Sequence, residues 1–393
     1  MFEAPVWVSA FRPFYLLGAA YGALLLLVWP AAYAWQLAPP LADVPLAVWH
    51  GHEMVFGFAS AIVCGILLTA LPSWAKTEEV RGAPLAFLAC RWMLGRAAMW
   101  LGAGISPALV ALADCALPVA LVAMIAPQLL AVRQRWFLAV LPVLLGLALA
   151  NVLFHLALIL DLPEYCGFGV RAGVHVIVSL FVLAGGFLTP IFTANHLRQK
   201  GRGDVGFNTF LEWIAVLSAL AFGFAGAAAA PPGWEISAAF VAAAVHAVRL
   251  ARWQGWKVLD SPLLWAMHLG YAWLVVAFLL RGLGLIGLVA PDAWLHAFGV
   301  GGLGMMMMGL MARVSLRHTG RPLDLPRAMR FAFALMLIAA PLRVAAAVGV
   351  PLPNLPSAAA LCWAAAFLIY LRVFASMLLA PSLPRSGLPA GGR

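Results

Sequence analysis

MVFGFASAIVCGILLTAL occupies residues 54–71 and contains no charged side chain. A helix needs about 20 predominantly apolar residues to cross the hydrocarbon core of a bilayer, so this stretch and its apolar flanks predict a membrane-spanning helix. A bilayer offers exposed backbone groups no hydrogen-bonding partner, which favours a helix over irregular structure. Runs of the same kind recur from Phe14 to Ala380.

The composition of the chain agrees with a fold built from such runs. Of its 393 residues, 65% are hydrophobic and 10% are charged, whereas soluble domains carry about 25% charged residues. We therefore predict an all-α, polytopic transmembrane bundle of about twelve helices that forms one domain, 1–393. The first apolar run is longer than a signal-peptide core and is expected to stay as a helix. The predicted spans are 14–37, 46–74, 84–103, 107–131, 136–160, 167–192, 207–229, 234–254, 262–289, 292–315, 327–349 and 356–380.

The distribution of positive charge predicts how the bundle is oriented. Loops after even-numbered spans contain Lys and Arg, and loops after odd-numbered spans contain neither. Because basic loops remain in the cytoplasm, the even loops and both termini are predicted to be cytoplasmic. The net charge of +10 is then a topology signal, and nucleic acid is not an expected partner. The basic residues are Lys76, Arg81, Arg133, Arg135, Arg198, Lys200, Arg202, Arg249, Arg252, Lys257, Arg317 and Arg321; the odd loops carry Asp43, Asp161, Glu164 and Glu235.

Four further arginines lie in or beside predicted spans, in the half nearer the outer face. A charge at this depth costs several kcal/mol by most estimates, which favours side chains that face the bundle interior and bind anions there. The alternative is that each side chain reaches outward to the lipid headgroups. The four are Arg96, Arg171, Arg281 and Arg343.

Five of the nine histidines are predicted at the same depth as these arginines. Neutral imidazole is a common ligand for haem iron and copper, so five histidines in one layer favour a metal or cofactor site over isolated interhelical hydrogen bonds. His50 and His52 diverge by about 200° on a regular helix, so they are expected to serve different centres unless the helix begins after them. Glu53 is a candidate proton relay or a structural acid. The five are His50, His52, His155, His175 and His296.

A short internal repeat suggests how the helices are organised. The pattern L-R-x-x-G-R begins at Leu197 after the sixth span and at Leu316 after the tenth. An even number of spans separates the copies, so the repeats would be parallel. Three four-helix units, over 1–131, 132–254 and 255–393, are therefore a hypothesis, although the loop after the second span matches the pattern poorly.

Four stretches of the chain form a recognisable set: Phe11-Arg12-Pro13-Phe14, Trp49-His50-Gly51-His52-Glu53-Met54, Asn195-His196-Leu197-Arg198 and RVSLRHTGR at 313–321. Together they resemble the NnrS family of bacterial membrane proteins, although Gly51 and Arg317 depart from the residues usual in the family. The resemblance implies a haem- and copper-containing protein of the bacterial cytoplasmic membrane, produced with denitrification or nitric oxide defence. Histidines on spans two, six and ten are also similar, as a fold analogy only, to the catalytic subunit of haem–copper oxidases and nitric oxide reductases.

The candidate ligands divide between two expected cofactors. We predict a haem, of b type, with His52 and His296 as axial ligands and with the four outer arginines near its propionates. The remaining outer histidines, His50, His155 and His175, would form a copper site with an open position for a diatomic ligand such as nitric oxide. In the alternative, His155 bonds to a neighbouring helix and no second metal is present.

Three functions follow from these features. The first is a haem–copper protein that binds or turns over nitric oxide, with an electron donor that the sequence does not identify. The second is a transporter of a small anion, and the third is a non-catalytic haem or nitric oxide sensor. Transport sites lie near mid-membrane, whereas the ionisable layer here is displaced outward, which favours the first function.

The topology prediction can be checked with reporter fusions. Fusions at Gly203 and Glu164 follow an even and an odd span, so they should report the cytoplasm and the outer side respectively. Activity on the same side for both fusions would contradict the predicted map and the common depth of the histidines.

Overall fold

The computed structural model describes residues 3–37, 39–41, 44–133, 135–227 and 231–384, and these ranges contain helices and loops without a β-strand. Asp43 and the side chain of Arg135, both used above as topology markers, lie outside the described residues. Twelve helices follow one another along the chain. They are α1 Phe11–Ala34, α2 Leu46–Ala75, α3 Ala83–Leu101, α4 Pro107–Ala131, α5 Val140–Ile159, α6 Cys166–Gln199, α7 Thr209–Ala227, α8 Pro232–Arg252, α9 Pro262–Leu285, α10 Ala293–His318, α11 Arg327–Ala347 and α12 Leu355–Leu379.

The helices confirm the predicted all-α, polytopic membrane bundle. Eleven of them are long and apolar enough to cross a membrane, and α3 falls short because Arg91 and Arg96 lower its mean hydropathy. The largest difference from the predicted spans is in α6, which continues to Gln199. The end of α6 is held in place because Leu197 is buried against Val258, in the loop after α8, and against Leu264 of α9.

The histidine-bearing helices form the centre of the bundle. In the most apolar window of α2, 83% of the residues are buried, and the figure for α10 is 72%, the two highest among the eleven spans. Helix α2 contacts both α6 and α10. Helix α1 packs on α2 and on α12, so the last helix closes the bundle against the first.

Arg12, which lies in the string at 11–14 that resembles the family, connects the first helix to the end of the last. Its buried guanidinium donates to the carbonyl oxygens of Leu378 at 2.7 Å and Ala380 at 2.6 Å, and to Ser382 Oγ at 2.8 Å. The last carbonyls of a helix have no partner within that helix, so Arg12 satisfies the end of α12 from the first turn of α1.

Both central helices contain a π-helical segment, over Glu53–Ala59 in α2 and Ala297–Gly304 in α10. Each segment begins directly after a histidine of the outer layer, His52 or His296. π-Helical turns are rare and occur frequently at functional sites, because the extra residue per turn rotates the side chains that follow.

Three charges interpreted above as loop markers lie within α8: Glu235, Arg249 and Arg252. Arg249 is buried and pairs with Glu212 of α7, and Glu235 pairs with Arg281 of α9 at 2.7 Å. The interpretation of these three as loop charges is therefore corrected. A buried ion requires a partner of opposite charge, and for Arg249 and Glu235 the neighbouring helix supplies one.

Candidate metal centre

A buried carboxylate, Asp114 of α4, brings two of the predicted histidines together. Its Oδ2 atom lies 2.9 Å from Nε2 of His155 on α5 and 3.2 Å from Nε2 of His52 on α2. All three side chains are almost completely buried. One ligand atom of each lies within 4.8 Å of the others, which is close enough for a shared metal ion.

Arg96 of α3 joins this group to a second buried carboxylate. Its guanidinium lies 2.5 Å from Glu53 Oε1 and also pairs with Asp114 Oδ1. The other oxygen of Glu53 accepts from the Tyr21 hydroxyl, which in turn accepts from Trp100 Nε1 at 2.9 Å. Two carboxylates and one guanidinium leave one negative charge in excess, and an uncompensated buried charge is costly.

The hydrogen bonds of His52 indicate how that excess is balanced. Its Nδ1 lies 2.9 Å from Glu53 Oε1, and its Nε2 lies 2.8 Å from Asn151 Oδ1. The amide orientation is fixed because Asn151 Nδ2 donates to Asp114 at 2.8 Å. Both nitrogens of His52 therefore face oxygen acceptors, although a neutral imidazole carries only one N–H. The second contact requires one further proton, on His52 or on Glu53, or a metal ion in its place.

Two of the three donor distances are compatible with a metal ion, and the 2.9 Å distance is also that of a hydrogen bond. Two ligands at tetrahedral angles around an ion, with bonds of about 2.0–2.1 Å, are about 3.3 Å apart, and the observed 2.9 and 3.2 Å are close to that value. Ligation through His52 Nε2 would leave Nδ1–H donating to Glu53, the arrangement that orients metal-bound histidines. Two imidazoles and one carboxylate are typical of non-haem Fe(II), and imidazole also suits copper and zinc.

The local sequence explains how these side chains meet. Asn151 and His155 are four residues apart on α5, so they share one face of the helix. Two glycines allow α3 to approach its neighbours: a Cβ at Gly95 would lie 3.0 Å from Asp114 Oδ1, and a Cβ at Gly57 would lie 2.9 Å from Arg96 Nη1. Sequence reasoning missed Asp114, Asn151 and Tyr21. The signal for Asp114 was present, because it is the only acidic residue of the fourth predicted span and intramembrane acids are usually functional.

A second group contains His50, which lies two residues before His52 in the chain. His50 packs its ring against Trp29 of α1 at 4.2 Å, and its Nδ1 is buried without a partner. His296 lies within electrostatic range of His50 and accepts from Arg343 Nη2 at 2.6 Å. His52 and His296, the predicted haem ligands, are thus in separate groups.

A third group surrounds His175 of α6. The ring stacks on Trp294 at 5.3 Å and contacts Phe222, next to the ion pair between Arg281 and Glu235. Arg171 is exposed one turn away. The structure therefore distributes the three histidines of the predicted copper site, at 50, 155 and 175, over three groups, and both predicted ligand sets stay predictions.

Nearly the whole chain matches the model of one protein family. The family model described as NnrS protein matches residues 5–382, which include all twelve helices and every residue of the three groups. No curated protein matches the chain.

The balance of charge around Arg96 predicts the effect of removing it. Breaking a buried ion pair by deleting one partner costs about 3–5 kcal/mol, so Arg96→Met should strongly lower thermal stability in detergent. Arg96→Met combined with Glu53→Gln should be less destabilised, because it removes one of the two stranded carboxylates. Arg91→Met on the same helix is the matched control. Equal losses for the single and double variants would contradict the proposed compensation.

Proposed function

This chain belongs to the NnrS family of nitric oxide response proteins, and we propose that it binds nitric oxide at a metal ion held by His52, Asp114 and His155. The observation that carries the proposal is that both ring nitrogens of His52 face oxygen acceptors beside an excess buried negative charge. A cation at Nε2 removes the hydrogen-bond conflict and compensates the excess negative charge; a monovalent ion would balance it, and a divalent ion would leave one positive charge. The site needs no displacement of backbone, since the three donor groups already converge.

Iron or copper in this position would supply an open coordination site and a change of oxidation state, which suit a diatomic ligand. The protein contributes orientation and protons. Glu53 fixes the ring of His52 and accepts from the Tyr21 hydroxyl, whose oxygen is held in place by Trp100 Nε1. We assign Glu53 the role of proton relay at the site. Copper is expected from the family resemblance, whereas the carboxylate in the donor set favours Fe(II).

The cellular location is part of the proposal. Eleven apolar helices make the chain a multi-pass membrane protein, and the basic loops support insertion into the bacterial cytoplasmic membrane with both termini in the cytoplasm. The site then lies in the half of the bundle nearer the outer face, where nitric oxide can reach it from outside or through the lipid.

The pairing of the arginines supports anion transport or a purely structural bundle less well than it supports a protein that binds nitric oxide. Arg96 and Arg281, two of the four arginines predicted in the outer half, are neutralised by carboxylates of neighbouring helices. An anion pathway would need these cations free. A sensor without turnover would use the same metal site, so nitric oxide binding is the property that both remaining functions share.

A haem is a second candidate cofactor, and the group around His50 supports it best. His50 Nδ1 is buried without a partner, and His296 lies near it. No carboxylate pairs with Arg343 within the part of the chain that the structure describes, so this cation could meet a propionate. We therefore propose His50 and His296 as the haem ligands, since His52 lies in a different group, beside Asp114 and His155. Cavities of 540 and 640 Å³ lie elsewhere, and neither is lined by these histidines.

The metal site is tested by measuring iron, copper and zinc in the purified protein. The wild type should contain near-stoichiometric iron or copper, and the reduced protein should change its electron paramagnetic resonance or absorption spectrum when nitric oxide is added. His155→Gln and Asp114→Asn should each lower the metal affinity by more than about 100-fold. Changing a residue that only supports a metal ligand costs roughly 10–100-fold, and these two residues would be ligands themselves.

His268→Gln is the matched control, because His268 is a buried intramembrane histidine bonded to Thr193 and far along the chain from the site. It should retain the metal and the nitric oxide response. Wild-type metal content in both His155→Gln and Asp114→Asn would refute the site.

The haem ligands are tested separately by visible spectroscopy. His50→Ala and His296→Ala should each abolish or shift the Soret band, because each would remove an axial ligand, and His52→Ala should leave it in place. Loss of the band in His52→Ala with retention in His50→Ala would instead restore the pairing predicted from sequence.

A further inference from the structure

A cavity of about 540 Å³ lies between α2, α5, α6, α7, α8 and α10, apart from the three histidine groups. It is lined by the second half of α2, from Val63 to Trp74, whereas His52 is in the first half. Its volume is within the range of about 300–1,000 Å³ that is usual for small-molecule sites. The wall is predominantly apolar, with Phe181, Trp253 and Met306 among the large side chains.

One part of the wall is polar and buried. Arg249 donates to the Tyr271 hydroxyl at 2.7 Å and to the carbonyl oxygen of Val182 at 3.1 Å, and it pairs with Glu212. Tyr271 is hydrogen-bonded in turn to His246 Nδ1 at 2.6 Å. Glu212 keeps 21% of its side-chain surface exposed, so its carboxylate remains accessible to a ligand in the cavity.

The charges that line the cavity are balanced. Arg249 is paired with Glu212, and Arg198 is paired with Asp204 at 2.7 Å. A phosphate headgroup would therefore meet no uncompensated cation, whereas a neutral head could accept from a guanidinium or donate to a carboxylate. The apolar remainder of the wall suits a hydrocarbon tail.

We propose that this cavity binds an isoprenoid quinone or quinol, a neutral hydrogen-bonding ring with an apolar tail. Arg249 would donate to a quinone carbonyl, and Glu212 would accept from a quinol hydroxyl. Binding does not depend on the metal site of the proposed function.

The test uses the full chain in detergent and decylubiquinone as the probe. Trp74 and Trp253 line the cavity, so bound quinone should quench part of the tryptophan fluorescence saturably. Ala184→Phe places a ring in the cavity and should weaken binding by at least about tenfold, because the added volume overlaps the ligand. Ala221→Phe, on the exposed face of α7, is the matched control and should bind like the wild type.

A second measurement does not depend on a folded variant. A photoreactive azidoquinone should label wild-type peptides within 180–191 or 303–310, and excess decylubiquinone should prevent the labelling. Equal affinity in wild type and Ala184→Phe, labelling only outside these peptides, or a retained phospholipid that quinone does not displace would each overturn the proposal. The metal content of Ala184→Phe should remain that of the wild type, so failure of the quinone site is distinguishable from failure of the metal site.

Discussion

The requirement that a buried charge must be compensated inside the bilayer determines much of this structure. Arg96 of α3 holds Glu53 of α2 and Asp114 of α4 at the same time, so one cation fixes the positions of three helices. The same requirement joins α7 to α8 and α8 to α9 through their own ion pairs. Apolar contacts between helices do not distinguish one neighbour from another as strongly, since lipid tails are equally apolar.

Hydropathy therefore predicted where the helices lie along the sequence. To predict which helices are neighbours, the pairing of their buried charges would have been needed. The spans follow from long apolar runs, and the depth of a histidine follows from its position in a span. Neither the apolar runs nor the position of a residue in its span shows how a helix is rotated about its axis. This rotation decides which neighbour a side chain faces. The divergence of His50 and His52 correctly separated them into two groups, but it could not show that His52 faces α5 and His50 faces α1. A π-helical segment directly after His52 also changes the rotation of the residues that follow.

The partners that complete the metal centre could be recognised only in part. Asp114 stands alone as an acid in an apolar run, and Asn151 lies one turn before His155, so both carried a sequence signal. Tyr21 carried none, because it lies near the middle of α1, where nothing in the local sequence distinguishes it from an aromatic residue of the core. Its role became visible only when the packing of α1 against α2 placed its hydroxyl on Glu53.

The three histidine groups differ in charge, and charge decides what each can bind. The group of His52 has two carboxylates for one arginine, so it favours a cation such as a metal ion. The group of His175 pairs its half-buried arginine with Glu235, so this pair has no excess to compensate, and the ring of His175 is covered by aromatic side chains. In the group of His296, Arg343 is bonded to an imidazole and to no carboxylate among the described residues, so the group favours an anionic substituent.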